Sequence, residues 1–170
     1  MTDKVETNRK EYERLMIDGN YTNVRFNPNN GALSATHIRH NFDPKRGVYE
    51  IQVQNVGYRY GNSVILVSET GKDIGERYTD GLWNGKSFEI AATETGTSNN
   101  IKKGLNHCAS KPGVKVAILF FPYDNFDTAI FENAFARYEG IGKAGAKGYV
   151  KFDEIICTDK EKIMYKKKAT

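Results

Sequence analysis

The stretch Val114–Phe121 constrains this chain more than any other segment. Only Lys115 interrupts its apolar run, and Lys111-Pro112-Gly113 stops whatever precedes it. The run is far too short to cross a bilayer, which takes about 20 apolar residues. A strand apolar at nearly every position is buried on both faces, and sheets of that kind carry helices on both sides. The segment therefore predicts a central strand. Helical patterns flank it, from Ser98 to about Ser110 before it and over Phe126–Tyr138 after it. Single helices between strands predict right-handed crossovers and an α/β domain built on a mixed central sheet flanked by helices.

The rest of the chain fits one such unit. A length of 170 residues is enough for one well-packed core and short for two. The contents of 39% hydrophobic and 27% charged residues argue against disorder. The expected organisation is a single domain over 1–170, opening with a helix within 1–20 and closing with a solvated basic tail at 166–170. The opening MTDKVETNRK has no apolar core of a secretory signal, which does not by itself fix a compartment. Cys108 and Cys157 lack metal-ligand spacing and read as reduced, partly buried thiols. The net charge of +4 permits nucleic-acid binding without demanding it.

Periodicity and turn residues predict the other elements. Lys4–Asp18 reads as a helix stopped by Gly19-Asn20, and Tyr21–Phe26 as a short strand. Asn27–Gly31 is a turn, Ala35–His40 irregular or a short strand, and Asp43–Gly47 a break. Val48–Tyr60 is a helix with Tyr49, Val53, Val56 and Tyr60 at helical spacing. Val64–Val67 is a buried strand. Tyr78–Trp83 and Lys86–Ala91 form a hairpin through Asn84-Gly85. Ser98-Asn99-Asn100 caps the following helix. Gly140–Gly148 is a flexible loop, and Phe152–Cys157 and Lys162–Tyr165 are late strands.

The segment Thr79–Ala91 carries the chemistry. Alternate residues of a strand share a face, so Phe88 and Ile90 point to the core while Glu89 and Ala91 point out together. The hairpin returns Asp80 towards Glu89. Two carboxylates converging at a sheet edge can hold a divalent ion, which polarises a phosphate and activates a water.

This arrangement resembles the PD-(D/E)xK nuclease core, in which an Asp, a second acid and a Lys two positions later share one face. Thr79 stands where that family often has Pro, and Ala91 where it has the Lys. The resemblance implies a restriction-endonuclease-like core and a divalent metal, Mg2+ before Mn2+ or Zn2+, held by Asp80 and Glu89. The preceding helix would add a third acid, Glu50 first and Glu69 second. The order of elements over roughly 20–165, with the segments 35–40 and 99–103, is similar to the C-terminal nuclease toxins of contact-dependent growth inhibition. Similar domains end some phage head-morphogenesis proteins. Such a domain is expected to cleave DNA or tRNA, to meet a cognate immunity protein, and to act in the cytoplasm of a producing or target bacterium after delivery within a larger protein. Ala91 either replaces a lysine or marks lost catalysis.

Two other readings stay open. His37 and His40 form an acid–base pair for metal-independent RNA cleavage, since imidazole titrates near neutrality. Alternatively, the domain is a non-catalytic module that binds nucleic acid or protein. Lys102, Lys103 and Lys111 are placed to flank a phosphate backbone, with Asn99 and Asn100 at a helix N-terminus able to hold a phosphate. Trp83 and Tyr78 could stack on bases. If these lysines touch phosphates, binding to nucleic acid will weaken steeply with added salt as counterions are released. Salt-insensitive binding, or none at low salt, would exclude this role.

Overall fold

The computed structural model describes residues 3–68 and 79–169. Glu69 and Tyr78 lie outside the described residues. Eight strands form one mixed sheet in chain order, each pairing with its sequence neighbour. They are β1 (Tyr21–Phe26), β2 (Leu33–His37), β3 (Ser63–Leu66), β4 (Gly81–Trp83), β5 (Lys86–Ala92), β6 (Val116–Phe120), β7 (Glu154–Thr158) and β8 (Ile163–Lys168). Pairs β2–β3, β5–β6 and β6–β7 are parallel; β1–β2, β3–β4, β4–β5 and β7–β8 are antiparallel. The helices are α1 (Asp3–Ile17), α2 (Gly47–Arg59), α3 (Ser98–Ala109) and α4 (Thr128–Lys143).

Every residue of β6 is buried, as its apolar run requires. Alternation divides its side chains. Val116, Ile118 and Phe120 join Val53 of α2, Val64, Leu66 and Phe88. Ala117 and Leu119 pack with Ile101 and Leu105 of α3 and with Phe131 and Tyr138 of α4. α1 sends Leu15 onto Leu33, Ala35 and Ile65. Cys108 and Cys157 are free and buried.

The β4–β5 turn has φ of 50° at Asn84 and 83° at Gly85, the paired left-handed conformation that matches strand twist. The Asn84 side chain accepts from Ser63 N–H at 2.9 Å and donates to Asn62 at 2.9 Å, tying the turn to the start of β3.

Several expectations need correction. The α3 cap is Thr97, whose side chain accepts from Asn100 N–H at 3.3 Å, so Ser98-Asn99-Asn100 are already helical. α4 begins at Thr128, capped by Asp127, and continues to Lys143 through half of the expected loop. A β-carbon on Gly142 would sit 2.5 Å from the Tyr149 ring, so glycine here lets Tyr149 lie on the helix and anchor its last turn. Lys166 and Lys168 are exposed, yet Lys166–Lys168 are no tail: they extend edge strand β8, pairing with Ile156, Ile155 and Glu154. Lysines on an edge strand discourage pairing with another chain. Glu89 and Ala91 do not face solvent, because α3 covers their side of the sheet; their exposures are 3% and 6%.

Gly81 fixes the β3–β4 contact, since a β-carbon there would lie 2.0 Å from the Ile65 carbonyl oxygen. Backbone cannot yield as a side-chain tip can. Gly81→Ala should destabilise the fold by about 1–3 kcal/mol or more, read as a fall in the denaturation midpoint. An unchanged midpoint would contradict this packing.

Candidate active site

The β4–β5 ladder stops at Gly81↔Phe88, while β5 continues alongside β6 to Ala92. Beyond Phe88 the free edge of β5 needs a hydrogen-bond partner, and Asp80 supplies it. Its Oδ2 accepts from Ile90 N–H at 2.8 Å. In return, the Asp80 N–H donates to the Phe88 carbonyl at 3.0 Å and to Glu89 Oε1 at 3.1 Å. The two acids are thus locked across the point where the strands part.

Glu50 reaches the same place from the first turn of α2. Its Oε1 lies 3.1 Å from His40 Nε2, while His40 Nδ1 lies 2.8 Å from the Val67 carbonyl. Glu50 Oε2 is buried and, among the described residues, has no hydrogen-bond partner. Burial, then the charge of Glu89, then that of Glu50, push the Asp80 carboxyl well above the usual range. The Asp80 and Glu50 carboxyls are neighbours, so each charge is felt by the other.

Basic side chains approach from α3 and from the turn after it. Glu89 Oε2 lies 3.0 Å from His107 Nε2 and 3.6 Å from Lys111 Nζ. Lys103 and His107 are four residues apart on one face of α3, and Lys111 lies just past the helix end. Cys108 Sγ donates to the Glu89 carbonyl oxygen at 3.4 Å, and burial pushes its thiol pKa up, consistent with an inert thiol.

A cleft of about 600 Å³ opens over the acids, with Arg46, Tyr49, Ala91, Lys103, Gly104 and His107 among its walls. Ala91 faces Gly104: a β-carbon on Gly104 would lie 3.3 Å from that of Ala91. Without a side chain at Gly104 the helix backbone lies close over position 91, and both residues line the cleft.

The other expected groups divide. Asn100 and Lys103 line the cleft; Lys102 and Asn99 do not. Asn99 accepts from Arg137 at 2.8 Å. Lys111 faces Glu89 rather than open solvent, with a side chain 23% exposed. Trp83 is buried edge-on against Phe88, which removes it as a base-stacking platform. His37 and His40 have separate partners: His37 Nδ1 accepts from Arg39 N–H at 3.0 Å, its ring lies edge-on to Tyr21, and neither histidine lines the cleft. His107 was not among the expected site residues; its signal was its spacing of four from Lys103 on the helix after the hairpin.

The donor set of Asp80, Glu89 and Glu50 is all oxygen, which suits Mg2+ or Mn2+ better than zinc. Among the described residues, no group of three or more His, Cys, Asp or Glu stands ready as a metal cage. Mg2+ asks for less, often one or two carboxylates with several retained waters. The unpaired Glu50 oxygen and the crowded charges are features a cation would relieve.

No family model matches the chain, and no curated protein matches it. Among solved structures, it is similar to a CdiA-CT/CdiI toxin and immunity complex from Burkholderia pseudomallei. The identity is 17%, covering 75% of this chain and 92% of that one, with a TM-score of 0.48. Among the described residues, no helix is long and apolar enough to cross a membrane.

The raised Asp80 pKa has a definite sign. The folded state prefers the neutral acid, so ionisation costs stability as pH rises from the ordinary carboxylate value of about 3.9. Asp80→Asn keeps an acceptor for Ile90 N–H and adds a donor for Glu50. The variant should melt a few degrees higher at pH 7 in EDTA, with the gain shrinking on acidification. A variant less stable at pH 7 would refute the strained cluster.

Proposed function

We propose that this chain is a metal-dependent nuclease domain of the toxin type, with Ala91 depriving it of a phosphate-facing cation. The observation that carries this reading is the convergence of Asp80, Glu89 and Glu50 under an open cleft, from a hairpin and the helix before it. Asp80 and Glu89 would hold the divalent ion, with Glu50 assisting. When bound, that ion supplies Lewis acidity towards a phosphate and lowers the pKa of a water. The chain's own residues do the remaining work. Asp80 and Glu89 keep each other in register through the backbone bonds at the strand fork. His40 orients Glu50. Lys103 and Asn100 line the cleft where a phosphate backbone would enter. A toxin of this kind needs a neutralising immunity protein, and it would reach a target cytoplasm as part of a larger protein.

A cation at position 91 is the missing part. A lysine there would start on the Glu89 face and run past Gly104 into the cleft. Losing one electrostatic group of this sort costs roughly 2.7–4 kcal/mol, or about 10²–10³ in rate. Ala91→Lys should therefore raise cleavage of total tRNA or plasmid DNA by about that factor with Mg2+, and EDTA should abolish it. A folded variant that cuts neither substrate with any metal would overturn the nuclease reading in favour of a binding module.

A further inference from the structure

A second cavity, of about 510 Å³, shares no lining residue with the carboxylate cleft. It lies between the C-terminal half of α4, the segment 149–152 and the β7–β8 edge. Its wall is aromatic. Tyr138 packs against Tyr149 at 5.1 Å between ring centroids and against Phe152 at 5.7 Å. Gly142 has no side chain to hold Tyr149 away, so that half-buried ring lies along the helix. The Tyr149 hydroxyl donates to Glu139 at 2.5 Å, fixing the ring's orientation. Phe135 closes another side under the Lys167 ammonium, 4.6 Å from its centroid.

The rim is cationic. Lys143, Lys151, Lys167 and Lys168 line the cavity, against Glu139 as the carboxylate. Lys167 is matched by Glu132 at 3.0 Å, and Glu139 is engaged by Tyr149. Lys143 and Lys168 are exposed at the opening. A ring-lined slot with ammonium groups at its mouth matches a ligand that carries both a flat π-face and negative charge. Its volume falls in the range of about 300–1,000 Å³ usual for small-molecule sites. An acidic peptide would satisfy the lysines but leave the aromatic wall unused.

We propose that this cavity binds a nucleotide unit, with the base against Tyr149 and the phosphates met by Lys143 and Lys168. The unit is either a free nucleotide or part of a single strand, since both present the same chemistry. The site does not depend on the nuclease reading.

The test uses the intact chain in EDTA at low salt, so that no cleavage can occur. ATP, a short oligouridylate, tripolyphosphate and polyglutamate are titrated in turn, with tyrosine resonances followed by NMR. ATP, the oligonucleotide or both should bind and shift Tyr149. Binding by ATP points to a free nucleotide, and binding by the oligonucleotide alone to a strand. Lys143→Glu with Lys168→Glu should weaken binding at least about tenfold. Tyr149→Leu should weaken nucleotide binding while sparing tripolyphosphate. Circular dichroism establishes that each variant is folded. The proposal is overturned if neither nucleotide form binds. It is equally overturned if tripolyphosphate or polyglutamate binds as tightly, or if the folded double-lysine variant binds like the parent.

Discussion

The structure around the cleft depends on the reciprocal contact between Asp80 and the β5 edge. Where β4 leaves β5, the sheet exposes backbone groups that burial would otherwise penalise. The Asp80 carboxylate takes the Ile90 N–H, and the Asp80 N–H is shared by the Phe88 carbonyl and Glu89. This solves a folding problem at a strand end. It also forces two acids into one place, because the residue that caps the fork lies opposite Glu89. Gly81 and the Asn84-Gly85 turn leave no freedom in that register.

The three acids are compensated unequally. Glu89 has His107 and Lys111, and Glu50 has His40. Asp80 takes the Ile90 N–H and faces no cation among the described residues, and burial with the charges of both neighbours pushes its carboxyl up. An acid pushed up in this way inside a cleft marks a candidate functional site. The imbalance also says where a cation would be most welcome: beside Asp80, on the side of the unpaired Glu50 oxygen.

Much of this was legible in the sequence, for identifiable reasons. The apolar run 114–121 could only be a doubly covered strand, and Asn-Gly at 84–85 could only be a tight hairpin. The turn placed Asp80 opposite Glu89, and the helical spacing of Tyr49, Val53, Val56 and Tyr60 placed the helix of Glu50. Other parts needed three dimensions. Alternation told which residues share the Glu89 face but not that α3 covers it, so Glu89 and Ala91 read as outward-facing. Lys111 read as a surface charge because its partner lies 22 positions earlier. The last lysines read as a tail because β8 draws its order from β7 rather than from its own apolar content. The His37–His40 spacing suggested a pair, yet Glu50 and Val67 claim the His40 ring.

Position 91 sits on the boundary between core and cleft, and Gly104 shows why. A mid-helix glycine costs about 1 kcal/mol relative to alanine. Here it lets α3 approach closely, since a β-carbon would come within 3.0 Å of Leu119 and 3.3 Å of Ala91. A large apolar residue at 91 would push the helix off the sheet, whereas a long, flexible one can turn over the glycine into the cleft. Alanine satisfies the packing and contributes no charge. The helix and the turn after it supply basic groups instead, with Lys103 on the cleft wall and His107 and Lys111 at Glu89. His107 and Lys111 both turn to Glu89, which leaves Lys103 as the α3 lysine on the cleft wall.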